Sequence, residues 1–371
     1  MKTIFTNLFL LFCISWGITE LQAQGCVAVR STGNSCTGLS NIVQPDQGWQ
    51  INVAYRNFKS YRHFRGKHEE PNRVEAGSDV RNYTNFLDIG ITKFLNQRWS
   101  IGINLPFQST SRSSLYEHDG RTRHFTEATG LGDVRINIGA WVFKPTSKGN
   151  VQIALGLKLP TGDYNYMDFF YKNDSTELLG PVDQSIQLGD GGTGLTTEIN
   201  AFYNFHKNIG VYGNLYYLFN PRDQNGTSTG RGGTPNATAV RYKTATMSVS
   251  DQYLVRGGVN VSMNNISFGA GVRLEGIPSA DVFGPSNGFR RPGYALAIEP
   301  SITYQIKSVS LFASVPVAIE RNRVQSQSDI ARSTPENVVI GDAAFADYAL
   351  NFGLFYQFGG HKGMDVKMDM E

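Results

Sequence analysis

From Val151 to Leu159 the chain reads VQIALGLKL, apolar at every second position. Val151, Ile153, Leu155, Leu157 and Leu159 share one side; Gln152, Ala154, Gly156 and Lys158 share the other. A period of two predicts a β-strand with one apolar face. Eleven further stretches carry the signal, at 48–58, 80–94, 98–108, 133–143, 197–205, 209–219, 252–263, 266–275, 293–306, 309–320 and 343–358. The links at 95–97, 144–150, 206–208, 264–265 and 307–308 are short, and those at 59–79, 109–130, 161–195, 220–240, 276–291 and 321–341 are long. Short and long alternate down the chain. A soluble sandwich has no reason for that rhythm. An all-β transmembrane antiparallel up-and-down β-barrel of about 12 strands does, with short periplasmic turns and long extracellular loops. The Val151 face then meets lipid, and Lys158 looks into the lumen.

Composition sharpens this picture. Forty glycines and 12% aromatics suit a β-protein rich in turns, and past the N-terminus no run approaches the length of a membrane helix. A net charge of +3 without a basic cluster argues against nucleic acid as a partner. Residues 1–23 read as a signal peptide, with Lys2, an apolar run over 4–18 and the cleavage site Leu21-Gln22-Ala23. Export plus a barrel places the protein in the bacterial outer membrane, with its lipid as first partner. Of three cysteines, Cys13 leaves with the signal. Cys26 and Cys36 remain in an oxidising compartment, where a disulfide is the default; they lie in a periplasmic segment, 24–47, ahead of the barrel at 48–358. Residues 359–371 form a flexible periplasmic tail. Trp99, Phe107, Tyr217, Phe219, Tyr294, Tyr304 and Tyr356 fall near strand ends, where interfacial girdles belong.

Gly130-Leu-Gly-Asp133 before a strand and Lys158-Leu-Pro-Thr-Gly-Asp163 ending the next resemble the outer-membrane family known for the MetA pathway of phenol degradation, related to the long-chain fatty-acid transporter barrels. The strand SLFASVPVAIERNR, with Pro316, and the ending DYALNFGLFYQF fit the same pattern. In that ending Asn351, Gly353, Tyr356 and Phe358 resemble the signal read by the barrel-assembly machinery, although here the chain runs on past it. The resemblance covers 48–358 and implies passive passage of small, hydrophobic or aromatic compounds, without naming a substrate. Asp133 and Asp163 fit either capping of loop amides or contact with a ligand.

Strand parity sends Arg56, Arg135, Lys158, Arg256 and Arg273 inward with Asp88, Asp133, Glu198, Glu275, Glu299 and Glu320. Such charges form either a plug-like network or the two walls of a selective path. The loop DYNYMDFFYKND carries Asp163, Tyr164, Tyr166, Phe169, Phe170 and Tyr171, which either grip an apolar ligand or thicken the outer girdle. By contrast NGTSTGRGGTPN, at 225–236, reads as a flexible loop without chemistry. No cofactor is expected. Catalysis is disfavoured because His68, His118, His124, His206 and His361 fall in loops, turn or tail, and His63 at most ends a strand. Two alternatives to transport stand: metal handling by His63, His68, Glu69, Glu70, His118, Asp119 and His124 with the tail's His361, Met364, Met368 and Met370, and docking of a periplasmic partner.

Overall fold

The computed structural model describes residues 47–360. The expected signal peptide, the segment expected to pair Cys26 with Cys36 and the residues beyond 360 lie outside them. Twelve staves form the wall: β1 (Gly48–Arg65), β2 (Arg81–Phe94), β3 (Trp99–Ser113), β4 (Phe125–Leu131 continuing as Arg135–Trp141), β5 (Gly149–Lys158), β6 (Gly194–His206), β7 (Ile209–Phe219), β8 (Gln252–Met263), β9 (Ile266–Ile277), β10 (Gly293–Ile306), β11 (Val309–Ser314 continuing as Val317–Asn322) and β12 (Ala343–Phe358). Each pairs antiparallel with the next, and β12 returns to β1 with Phe358 opposite Trp49. The barrel is closed and antiparallel. Closure leaves no ladder edge unpaired in hydrocarbon, where an unmet N–H or C=O costs several kcal/mol.

Both faces follow the alternation. On β5, Ile153, Leu155 and Leu157 are 47%, 52% and 50% exposed, whereas Ala154 and Lys158 are buried. Ile136 and Ile138 of β4 are similarly exposed beside them, as are Leu195 and Ile199 of β6. These side chains form part of an apolar belt whose solvent is lipid. Trp99, Phe107, Tyr304 and Tyr356 are also exposed, in keeping with an interfacial girdle. At the short-turn rim, Asn264 and Lys307 take positive φ to close two-residue hairpins.

Several staves exceed their predicted lengths toward the long loops: β1 runs to Arg65 rather than 58, and β3 to Ser113 rather than 108. Pairing continues there while the apolar alternation fades, because an outer face above the bilayer meets water. The long loops also hold structure of their own. Met167–Asn173 pairs with Thr176–Pro181, and Gln224–Ser228 with Thr246–Ser248. The expectation of a featureless loop at 225–236 is therefore corrected: Arg231 bonds Glu117 at 3.1 Å and lies 5.0 Å from the Tyr116 ring centre.

Two staves are broken. Residues 132–134 interrupt β4, where the Thr161 hydroxyl donates to the Gly132 carbonyl (2.8 Å) and accepts from the Val134 N–H (2.9 Å). Residues 315–316 interrupt β11, where Pro316 has no N–H to give, although its carbonyl still accepts from Ala349. Higher on β11 the register slips between Leu296 and Ala297 of β10, a bulge that overturns one parity assignment. Glu320, expected in the lumen, stands opposite outward Leu296, is 37% exposed and accepts from the Tyr294 hydroxyl at 2.6 Å.

Placing a charge on the lipid face tests this assignment. Leu155→Arg near mid-membrane is expected to destabilise the barrel by about 2–4 kcal/mol in reversible urea unfolding from vesicles; an unchanged midpoint would contradict a lipid-facing Leu155.

Candidate functional site

The third long loop does not stay outside. After its hairpin the chain enters the barrel mouth, and residues 182–190 lie against the inner wall, with Val182, Ile186 and Leu188 buried. Gln108 and Thr110 point inward from β3: the Gln108 amide donates to the Gln187 carbonyl (2.7 Å) and the Thr110 hydroxyl to that of Ile186 (3.3 Å). Asp183 caps the short 3-10 turn Gln184–Ile186 by accepting from the Ser185 N–H. The same carboxylate takes a bidentate bond from Arg291 (2.9 and 2.8 Å) and lies 3.5 Å from Arg112. Arg112 in turn holds Glu117 at 3.0 Å, and Arg231 reaches the same Glu117 oxygen at 3.1 Å. Burial alone would raise both carboxyls. Arg112 and Arg291 instead hold Asp183 well below the usual carboxylate range, and Arg112 with Arg231 holds Glu117 low.

The two motifs singled out in sequence meet at the lower end of this segment. Asp133, in the break of β4, accepts from the Gly162 N–H (3.0 Å) and the Asp190 N–H (3.2 Å), with the Lys158 ammonium 3.6 Å away. Lys158 also pairs with Asp190. Gly162 and Gly189 pass so closely that a Cβ on either would stand 2.6–2.8 Å from the other's backbone or its neighbour's, so glycine is required at both. Asp163 lies outside this knot and caps the Asn165 N–H at 2.9 Å.

A cavity of about 150 Å³ lies beside the segment. Phe86, Leu188, Leu218 and Ile277 give it apolar surface; Gln108, Arg135, Lys158, Gln187 and Arg291 give it polar surface. Mid-barrel, a chain of charges crosses the lumen. Arg56 of β1 reaches Glu275 of β9 at 2.8 Å, Arg273 holds Glu275 at 2.7 Å, and Glu299 stands 3.9 Å from Arg273 and 3.7 Å from Arg256. β1 and β9 are four places apart round the ring, so Arg56 spans a chord of the lumen. Glu198 accepts from the Asn214 amide (2.9 Å), Arg135 lies 5.8 Å from the Tyr216 ring, and Asp88 is half-buried on the inward register of β2.

The aromatic loop residues build a small core of their own above the wall. Phe170 is fully buried and stacked on His118 at 5.6 Å, Tyr171 stacks on His124 at 4.3 Å, and Tyr166 packs on Ala128, Val182, Ile186 and Leu188. Tyr164 lies under Arg222 at 5.8 Å, and Phe169 is exposed. His118 and His124 lie together, ring centres 5.3 Å apart, whereas His63 bonds Asp342 (2.7 Å) and accepts from the Val80 N–H. Among the described residues no group of three or more His, Cys, Asp or Glu side chains could hold a metal ion. Asp183, Asp190, Arg112 and Arg291 went unread in sequence. Asp190 carried a signal, since Gly189-Asp190 repeats the Gly-Asp pair of both motifs; the other three carried none, because their partners lie on distant loops.

Compared by sequence, the chain matches no family model and no curated protein, so the resemblance to the phenol-degradation family has no second support there. Compared by structure, it is similar to an outer-membrane channel from Pseudomonas putida F1, with a TM-score of 0.51 at 11% identity over 84% of this chain and 96% of that one. A FadL homologue from Pseudomonas aeruginosa aligns over 91% of this chain and all of its own, at 9% identity with a TM-score of 0.42. The first likeness shows the fold, and with the closed wall it identifies the chain as a bacterial outer-membrane β-barrel.

Asp183→Asn removes the charge that holds Arg112 and Arg291. Breaking one side of a buried pair costs about 3–5 kcal/mol, so amides of 182–190 are expected to exchange faster with the wall amides unchanged. The native Asp183 carboxyl is depressed. Its stabilising effect is therefore full above the unfolded value of about 4 and is lost only as pH falls through the lower folded value. Protection of 182–190 should persist at pH 5 and disappear in stronger acid; loss at pH 6 would contradict the assignment.

Proposed function

We propose that this barrel passes small organic solutes, hydrophobic or aromatic in body, across the outer membrane, with residues 182–190 as its constriction. The observation that carries the reading is the cavity behind that segment. At about 150 Å³ it matches the size at which a protein cavity holds benzene. Its lining combines the Phe86 ring and the aliphatic chains of Leu188, Leu218 and Ile277 with guanidinium, ammonium, amide and carboxylate groups. The resemblance of the two glycine–aspartate motifs points the same way. So does the description of the Pseudomonas putida neighbour as an outer-membrane channel. Below the cavity a solute moves beside the Arg56–Glu275–Arg273 chain, whose opposed charges favour neither sign of ion strongly. No residue in this path is asked to do chemistry.

The refolded chain is expected to give discrete current steps in a planar lipid bilayer, larger or longer-lived in Asp183→Asn, and to speed entry of toluene into liposomes. A folded barrel that stays silent and impermeable in both forms would overturn passage and leave partner docking as the better reading.

A further inference from the structure

Above the constriction lies a second and larger space, of about 570 Å³, lined by seven arginines: Arg73, Arg112, Arg231, Arg290, Arg291, Arg323 and Arg332. They do not come from one basic run. Arg73 belongs to the first long loop, Arg112 to the end of β3, Arg231 to the fourth loop, Arg290 and Arg291 to the fifth, and Arg323 and Arg332 to the sixth. Bringing seven like charges into one space is unfavourable unless something holds them.

What holds them is only partly in the space itself. Glu117, Asp183 and Asp281 bond Arg112, Arg231, Arg291 and Arg290 without lining the cavity, whereas Asp329 and Asp342 line it beside Arg323 and Arg73. Five carboxylates thus hold six of the seven guanidiniums, and three of the five lie outside the cavity lining. The face toward the cavity carries seven cations and two anions. Arg332 makes no ion pair with another described residue and lies 5.9 Å from the Tyr242 ring. Arg290 and Arg323 are buried, and the Nε donor of each has no hydrogen-bond partner. Unmet buried donors on charged groups are costly and are met by an acceptor. Planar forks of this kind match a carboxylate in two-toothed geometry, and the rings of Tyr116 and Phe289 lie in the same lining.

We propose that this vestibule binds small organic carboxylates, and that it presents them to the constriction below. The second half rests on the passage reading; the first does not. Benzoate is the probe and benzyl alcohol its neutral counterpart, titrated calorimetrically into the refolded full chain in detergent. Benzoate is expected to bind at least about tenfold more tightly than benzyl alcohol, as two charge-assisted hydrogen bonds imply, and to weaken as salt rises. Arg332→Gln leaves the carboxylate-held arginines in place and is expected to weaken benzoate about threefold or more, with Arg332→Lys recovering part of the loss. Arg290→Gln serves as the second variant, each checked as folded by its gel mobility before and after heating. Equal binding of benzoate and benzyl alcohol, or benzoate binding unmoved in both folded glutamine variants, would overturn the vestibule. Benzoate bound by a barrel that passes no solute would overturn passage and leave the vestibule standing.

Discussion

Everything in this chain depends on one constraint: in hydrocarbon each backbone N–H and C=O must find its partner within the protein. The pairing of β12 with β1 meets it for the whole wall at once, from Trp49 opposite Phe358 to Phe64 opposite Ala343. With closure secured, side chains divide by parity between lipid and lumen. The constraint also shows where the wall can be irregular. β4 tolerates the gap at 132–134 because Thr161 supplies both a donor and an acceptor there. β11 tolerates Pro316 because Val315 donates to the Pro300 carbonyl and Ala349 to that of Pro316.

The lumen obeys the complementary rule. A charge withdrawn from water needs a partner at good geometry, or burial costs several kcal/mol per ion. Arg56, Arg273 and Arg256 alternate with Glu275 and Glu299, so no member stands against a like charge without an opposite one beside it. Neutral amides fill the remaining distance: Asn214 bonds both Glu198 and Asn200, and Gln357 donates to Gln50. Amides desolvate at lower cost than ions. They make a polar interior that does not itself attract counter-ions.

These two rules explain what was legible. Strand number, pairing order and the lipid face follow from period-two alternation, a local signal that Val151 to Leu157 carry on their own. Parity reached inward to Lys158 and Arg273 for the same reason. It failed at Glu320, since a bulge inserts one residue and flips every later side chain, and a bulge on a strand above the membrane leaves no mark in hydrophobicity. It also stopped short at Arg65 and Ser113, where water on both sides of the wall removes the contrast that alternation measures. The in-folded segment was illegible for another reason. Asp183 meets Arg112 and Arg291 across 71 and 108 positions of sequence, distances at which nothing in a single chain's pattern connects residues. Gly162 and Gly189 were legible as glycines, but their mutual approach was not.

The two kinds of attachment differ in what they resist. Neighbouring staves are joined by long backbone ladders, and separating them exposes many groups together. Residues 182–190 are held mainly by side chains: Gln108 and Thr110 on two carbonyls, Arg112 and the loop residue Arg291 on one carboxylate, Asp133 on the Asp190 amide. Each neutral bond of that kind contributes about 1 kcal/mol, and each charged one somewhat more. Local opening follows the least costly set of contacts, so the segment yields before any stave does. The backbone ladder keeps the wall, and a handful of side chains keeps residues 182–190 in the barrel mouth.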